Sequence, residues 1–182
     1  DSVTEIKEDA FKMCNPILYD TNTISNIKLI DGWAVGFLSP RIADIKLHNI
    51  RGIAYGACAD YKNLETLEIS GNFKCIGRNA FSNCRSLRNI IIDAPIKIIG
   101  DSAFFRCGEL LHIELPSSVS EIRRCAFQQC FALTNIVIPT AVTNIGEEAF
   151  YGCNSIKTFN IPRNLRFIGE GAFSSCESLE KF

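Results

Sequence analysis

Ala80-Phe81-Ser82-Asn83-Cys84, Ala103-Phe104-Phe105-Arg106-Cys107, Ala126-Phe127-Gln128-Gln129-Cys130, Ala149-Phe150-Tyr151-Gly152-Cys153 and Ala172-Phe173-Ser174-Ser175-Cys176 are five copies of one string, Ala-Phe-x-x-Cys, each 23 residues after the last. Recurrence at a fixed period of about 20 to 50 residues marks a solenoid, in which each unit buries its apolar face only by stacking on its neighbours. The period therefore speaks to architecture before it speaks to function.

The rest of each unit keeps the same register. Leu133, Ile136, Ile138, Pro139, Val142, Ile145 and Gly146 lead into Ala149-Phe150, and the neighbouring units run Leu110, Ile113, Leu115, Pro116, Val119, Ile122 and Ile156, Phe159, Ile161, Pro162, Leu165, Ile168, Gly169. Alternation in Leu-x-x-Ile-x-Ile has the period of a short strand with one buried face. Proline cannot donate to a ladder, so the strand should stop there. Beyond it, Val142, Ile145 and Ala149-Phe150 stand three and four apart, which predicts a turn of helix or 3₁₀ on the opposite wall.

The unit resembles the BspA-type leucine-rich repeat of bacterial and some protozoan surface proteins. The residues that carry the likeness are Ile-Gly-x-x-Ala-Phe-x-x-Cys, standing as Ile76-Gly77 to Cys84 and again as Ile145-Gly146 to Cys153. The fold expected is an α/β solenoid of 23-residue units, with short helical or 3₁₀ segments on one wall; the resemblance implies parallel strands along a concave face. One leucine-rich repeat domain covers 1–182, comprising a partial repeat at 1–14, an irregular repeat or β-hairpin insertion at 15–41, and regular repeats over 42–182.

The partial repeat rests on Val3, Ile6, Ala10-Phe11 and Cys14. In 15–41, which holds the only tryptophan, Trp33, alternating apolar residues flank turn pairs such as Asp31-Gly32, favouring a strand-rich insertion. Ala34 to Ala57 keeps the 23-residue interval while the expected Phe and Cys are missing, which also favours the insertion over a worn-down repeat. Near 58 the register holds with changed identities: Ala57-Cys58 replaces Ala-Phe, and Tyr61 stands in the Cys position.

With 19 Lys and Arg against 20 Asp and Glu, the chain lacks the basic excess that phosphate binding demands, and Arg123-Arg124 is too small a cluster to supply it. No apolar run is long enough to cross a bilayer as a helix. The chain starts without Met inside one repeat and ends inside another at Leu179 to Phe182, which reads as a trimmed segment or as an end that pairs with another molecule, end to end.

Nine cysteines raise metal and redox chemistry, but five stand in the repeat register, where a small apolar side chain packs once per coil. Zinc sites show paired C-x₂-C or C-x₂-C with His, and no such pair occurs. Parallel stacking points neighbouring Cβ bonds the same way, which suits packing better than disulfides. His48 and His112 fall three coils apart, about 15 Å, too far to share a metal or a proton. Cys107 and His112 belong to different faces, so they do not form a nucleophile pair. Glu147-Glu148 and Glu170 read as solvated or helix-starting carboxylates. No glycine-rich phosphate loop is present. The expectation is no enzyme, no metal, no cofactor and no nucleic-acid ligand.

What remains is the outward face of the strands. Its triplets read Asp44, Lys46, His48; Thr66, Glu68, Ser70; Asn89, Ile91, Asp93; His112, Glu114, Pro116; Asn135, Val137, Pro139; and Thr158, Asn160, Pro162. The face is shallow and mixed, without the aromatic platforms of a sugar or single-strand site. The candidate partner-binding residues are Glu68, Asn89, Ile91, His112, Glu114, Asn135, Val137 and Asn160. The resemblance implies an adhesin-like protein-interaction module, extracellular or at the cell surface, binding matrix or other cell-surface proteins. The alternative is a structural spacer in a longer surface protein, with no specific ligand.

Overall fold

The computed structural model describes residues 27–37, 39, 41–72 and 74–181. Among them are thirteen strands and no helix. The proposed partial repeat at 1–14 lies outside the described residues.

The chain coils with one circuit per unit. One strand of each circuit joins a five-stranded parallel sheet made of β3 (Asp44–Leu47), β5 (Thr66–Ser70), β7 (Asn89–Asp93), β9 (His112–Glu114) and β11 (Asn135–Val137). Their registers advance by the repeat, as in Asn89↔His112 and His112↔Asn135. Burial alternates along them, with Ile90, Ile113 and Ile136 inward and their neighbours exposed, as β-branched residues on a half-buried sheet require.

Proline ends these strands by opening a turn. Val119, Val142 and Leu165 each donate their N–H to the carbonyl of Pro116, Pro139 and Pro162 at 3.0 Å. Once the strand has stopped, alternation no longer decides which side a residue faces. Pro139 and Pro162 are accordingly buried and Pro116 half-buried, against the expectation that all three point outward.

A second parallel sheet takes two residues per circuit: β6 (Cys75–Ile76), β8 (Ile98–Ile99), β10 (Glu121–Ile122), β12 (Asn144–Ile145) and β13 (Phe167–Ile168). The glycine that follows each of four of these strands allows close approach of successive coils. A Cβ on Gly100 would sit 2.6 Å from the Ile76 carbonyl oxygen, and one on Gly146 2.5 Å from the Arg124 nitrogen.

The third wall is where a helical segment was expected, and it is built of turns instead. Along 79–84 the backbone donors alternate. Asn79, Phe81 and Asn83 donate to Asp101, Ala103 and Phe105 of the next coil, whereas Ala80, Ser82 and Cys84 close turns onto Gly77, Asn79 and Phe81. The pattern repeats at 102–107 and 125–130. A helix would keep its donors within the segment; here half of them tie one coil to the next. Positive φ at Asn79, Asn83, Ser102, Arg106, Cys125 and Gln129 turns those donors outward.

This wall supplies the centre of the core. Phe81, Phe104, Phe127, Phe150 and Phe173 stack in parallel, with successive centroids 5.6, 5.4, 5.4 and 5.3 Å apart. Beside them the repeat cysteines do more than pack. The thiols of Cys107, Cys130 and Cys153 donate to the carbonyls of Phe81, Phe104 and Phe127 at 3.3, 3.2 and 3.1 Å, linking each coil to the one before. Cys84 does the same to the carbonyl of Cys58, which occupies the Phe column in its own coil.

Before the regular coils, β1 (Ile27–Ile30) and β2 (Trp33–Phe37) form an antiparallel pair around the Asp31-Gly32 turn, and β2 runs parallel beside β4 (Gly52–Ile53). Ala34 stands opposite Ile53 and accepts from the Ala54 N–H at 2.9 Å. The 23-residue interval from Ala34 to Ala57 is therefore not a register of the coil. Trp33 is buried against Gly52, where a Cβ would meet its ring at 2.5 Å.

Candidate functional site

The outward side of the main sheet is laid out by register. Asn89, His112 and Asn135 form one column across β7, β9 and β11. In the next outward column Lys46 stands beside Glu68, Glu68 beside Ile91, and Glu114 beside Val137. Seven of the eight candidate residues thus share one surface. Asn160 is exposed but follows the last main-sheet strand and belongs to no ladder.

Two aliphatic side chains break an otherwise polar face. Ile91 is 56% exposed and Val137 69%. Their carboxylate neighbours differ in state. Glu68 accepts from Lys46, with Nζ to Oε2 at 2.8 Å, whereas Glu114 has a side chain 90% exposed, with the His112 ring at 3.5 Å. Lys46 was on the outward triplet but not among the candidate residues, and it neutralises one of them.

Two further apolar residues lie along the rim where the turn wall meets the main sheet. Leu111 and Phe131 are about half exposed. Reading the repeat by column would have found them: the Phe131 position holds Lys62, Arg85, Asn154 and Glu177 in other coils, and the Leu111 position holds Glu65, Arg88, Thr134 and Lys157. Arg88 and Glu109 pair on this rim at 3.2 Å.

Burial pushes the thiols of Cys58, Cys107, Cys130 and Cys153 well above their ordinary value, and that of Cys84 up to about 12. Cys125, at the outer edge of the wall, is raised to about 11 by burial and by the Glu148 carboxylate 3.6 Å from its sulfur. Each is held as the thiol, the unreactive form. Cys107 points inward and His112 outward, so the two do not meet. Glu148, expected to be solvated or to start a helix, instead sits at positive φ and accepts from Gln128 Nε2 at 2.8 Å; Glu147 pairs with Arg124 at 3.4 Å. Among the described residues no three potential metal ligands cluster, and no helix is long and apolar enough to cross a membrane.

Comparison with known proteins places this geometry. A crystal structure of a leucine-rich repeat protein from Bacteroides ovatus superposes with a TM-score of 0.71 at 28% identity, over 88% of this chain and 44% of that one. A leucine-rich cell surface protein from Faecalibacterium prausnitzii matches with a TM-score of 0.68 at 30% identity, over 76% of this chain and 38% of that one. The chain thus spans less than half the length of either. The leucine-rich repeat protein of Treponema pallidum, at 22% identity and a TM-score of 0.77 over 91% of this chain and 78% of that one, shares the fold. Among curated proteins no relative matches in sequence. The BspA type leucine-rich repeat region matches in six copies over residues 1–98 and 74–182, and so the chain belongs to the BspA-type leucine-rich repeat family.

Proposed function

We propose that this chain is a non-catalytic protein-interaction module of a secreted or cell-surface, adhesin-like protein, and that it binds a matrix or cell-surface protein through the outward side of its main sheet. The observation that carries the reading is the pair of exposed aliphatics Ile91 and Val137, the latter beside Glu114, on a face otherwise polar. Solenoids present extended, nearly continuous surfaces of this kind to partners. Apolar residues standing clear of a polar surround are the usual centre of such contacts. The name of the Faecalibacterium relative as a cell surface protein supports the location.

The test is binding of the purified chain to immobilised matrix proteins and cell-surface glycans, beside an Ile91→Glu, Val137→Glu double variant. Saturable binding lost in a folded double variant is the expected outcome. A folded wild-type chain that binds nothing on the panel would favour the spacer role instead.

A further inference from the structure

We propose that the main-sheet face takes a cationic, amphipathic helix of the partner, laid along the solenoid axis across Ile91, Glu114 and Val137. The inference rests on the interaction reading above and specifies the chemistry of the partner.

Charge is segregated on this face. From β5 onward its outward strand positions carry Glu68, Asp93 and Glu114 and no Lys or Arg, although the whole chain is nearly balanced at 19 to 20. Lys46 engages Glu68, which leaves Asp93 and the outstretched Glu114 to set the field around the two aliphatic residues. A surface of carboxylates around apolar points is complementary to basic side chains around apolar points.

Spacing selects the partner's backbone. Ile90 is in register with Ile113 and Glu114 with Val137, so Ile91, Glu114 and Val137 follow one another across three adjacent strands. Parallel strands lie about 4.8 Å apart, which puts Ile91 and Val137 about 10 Å apart with the carboxylate midway. In an α-helix, residues i and i+7 are about 10.5 Å apart on one face, with i+3 and i+4 between them. A strand laid the same way covers about 10 Å in three residues, and the third side chain points to the opposite side. The helix matches the column and the strand does not. The partner segment therefore carries aliphatic residues at i and i+7 and Arg or Lys at i+3 or i+4.

The probe is a labelled 18-residue alanine-based peptide with Leu at i and i+7 and Arg at i+3 and i+4, titrated by fluorescence anisotropy against the whole chain. Controls are a version with Glu in place of Arg and a scramble of equal composition. The Arg peptide is expected to bind saturably and at least ten-fold more tightly than either control. Glu114→Lys should weaken it about ten-fold, whereas Glu170→Lys, on the turn wall, should leave it unchanged. Equal binding of the scramble or of the Glu peptide would overturn the proposal, as would an equal effect of Glu170→Lys. The matrix-protein panel separates the two levels. If panel binding disappears in the Ile91→Glu, Val137→Glu variant but withstands both Glu114→Lys and added salt, the interaction reading stands and the cationic helix is wrong. If neither the panel nor the peptide binds, both are wrong.

Discussion

Phe127 lies between Phe104 and Phe150 with a ring centroid 5.4 Å away on each side, and it has no exposed surface. Its removal takes away burial and two stacked contacts at once. Phe127→Ala should cost about 3 to 5 kcal/mol, read as a lower midpoint in urea titration; an unchanged midpoint would mean the ring column does not hold the coil together. The cysteines beside it make a separate prediction about pH. An unfolded chain releases thiol protons near the ordinary value of 9, while the folded chain keeps that of Cys84 to about 12 and those of Cys107 and Cys130 well above the ordinary value. The folded state then binds more protons over that window. Stability is whole below 9 and falls as pH rises through it, by about 1.4 kcal/mol per unit for each such thiol. Urea titrations at pH 8, 9 and 10 should show a shallower decline in a Cys107→Ala, Cys130→Ala double variant than in the parent chain. Parallel declines would show that these thiols ionise equally in both states.

Glycines at the coil edges differ in what surrounds them, and the difference can be measured at the level of the wall. A Cβ on Gly146 would fall 2.5 Å from the Arg124 nitrogen and 2.6 Å from the Arg123 carbonyl carbon, both backbone atoms fixed in the preceding coil. Gly146→Ala should cost about 1 to 3 kcal/mol as the coils are forced apart. Gly108→Ala meets only the edge of the Phe131 ring at 3.5 Å and should change stability by less than about 0.5 kcal/mol. Thermal melts of the two variants side by side would decide it, and equal shifts would refute the close approach. The same wall shows what the sequence reveals and what it hides. Strands were legible because Ile136 and Ile138 and their equivalents recur at every second position, and the Phe and Cys columns were legible because period 23 repeats them. Val142, Ile145, Ala149, Phe150 and Cys153 are all buried, so the spacing of three and four identified the core correctly. It did not identify the conformation, since a chain of turns returns apolar residues to one side just as a helix does. The positive-φ positions that distinguish the two fall on Asn79, Ser102, Cys125 and Glu148, and residues so varied carry no common mark. The outward residues could be placed on the sheet from alternation alone, and the triplets set Lys46 level with Glu68, but that Nζ reaches the carboxylate at 2.8 Å is shown by the three-dimensional structure.

Across the whole molecule, each coil touches little besides its two neighbours, so the fold should behave as a stack of nearly interchangeable units. Interchangeability is a demand on length. Residues 101–123 make one full period between Gly100 and Arg124, and Asp101 and Arg124 occupy the same place in successive coils. Excising 101–123 would bring Gly100 directly before Arg124 and leave every column in step. The N–H of Phe81, which donates to Ala103 at 2.8 Å, would find Ala126 in its place, and the thiol of Cys130 would reach the carbonyl of Phe81 in place of that of Phe104. Excising 101–122 instead removes one residue fewer and shifts all later columns by one. In β11 that slip would turn Asn135 and Val137 inward and Ile136 outward, because side chains alternate at a period of two. The 23-residue deletion should therefore unfold cooperatively in urea with a strand-type circular dichroism spectrum retained, at lower stability because one coil interface is gone. The 22-residue deletion should lose that transition altogether. If both fold alike, stacking tolerates slippage and the ladder of rings, thiols and wall amides does not set the register; if neither folds, the coils are not equivalent units and the nearest-neighbour description fails.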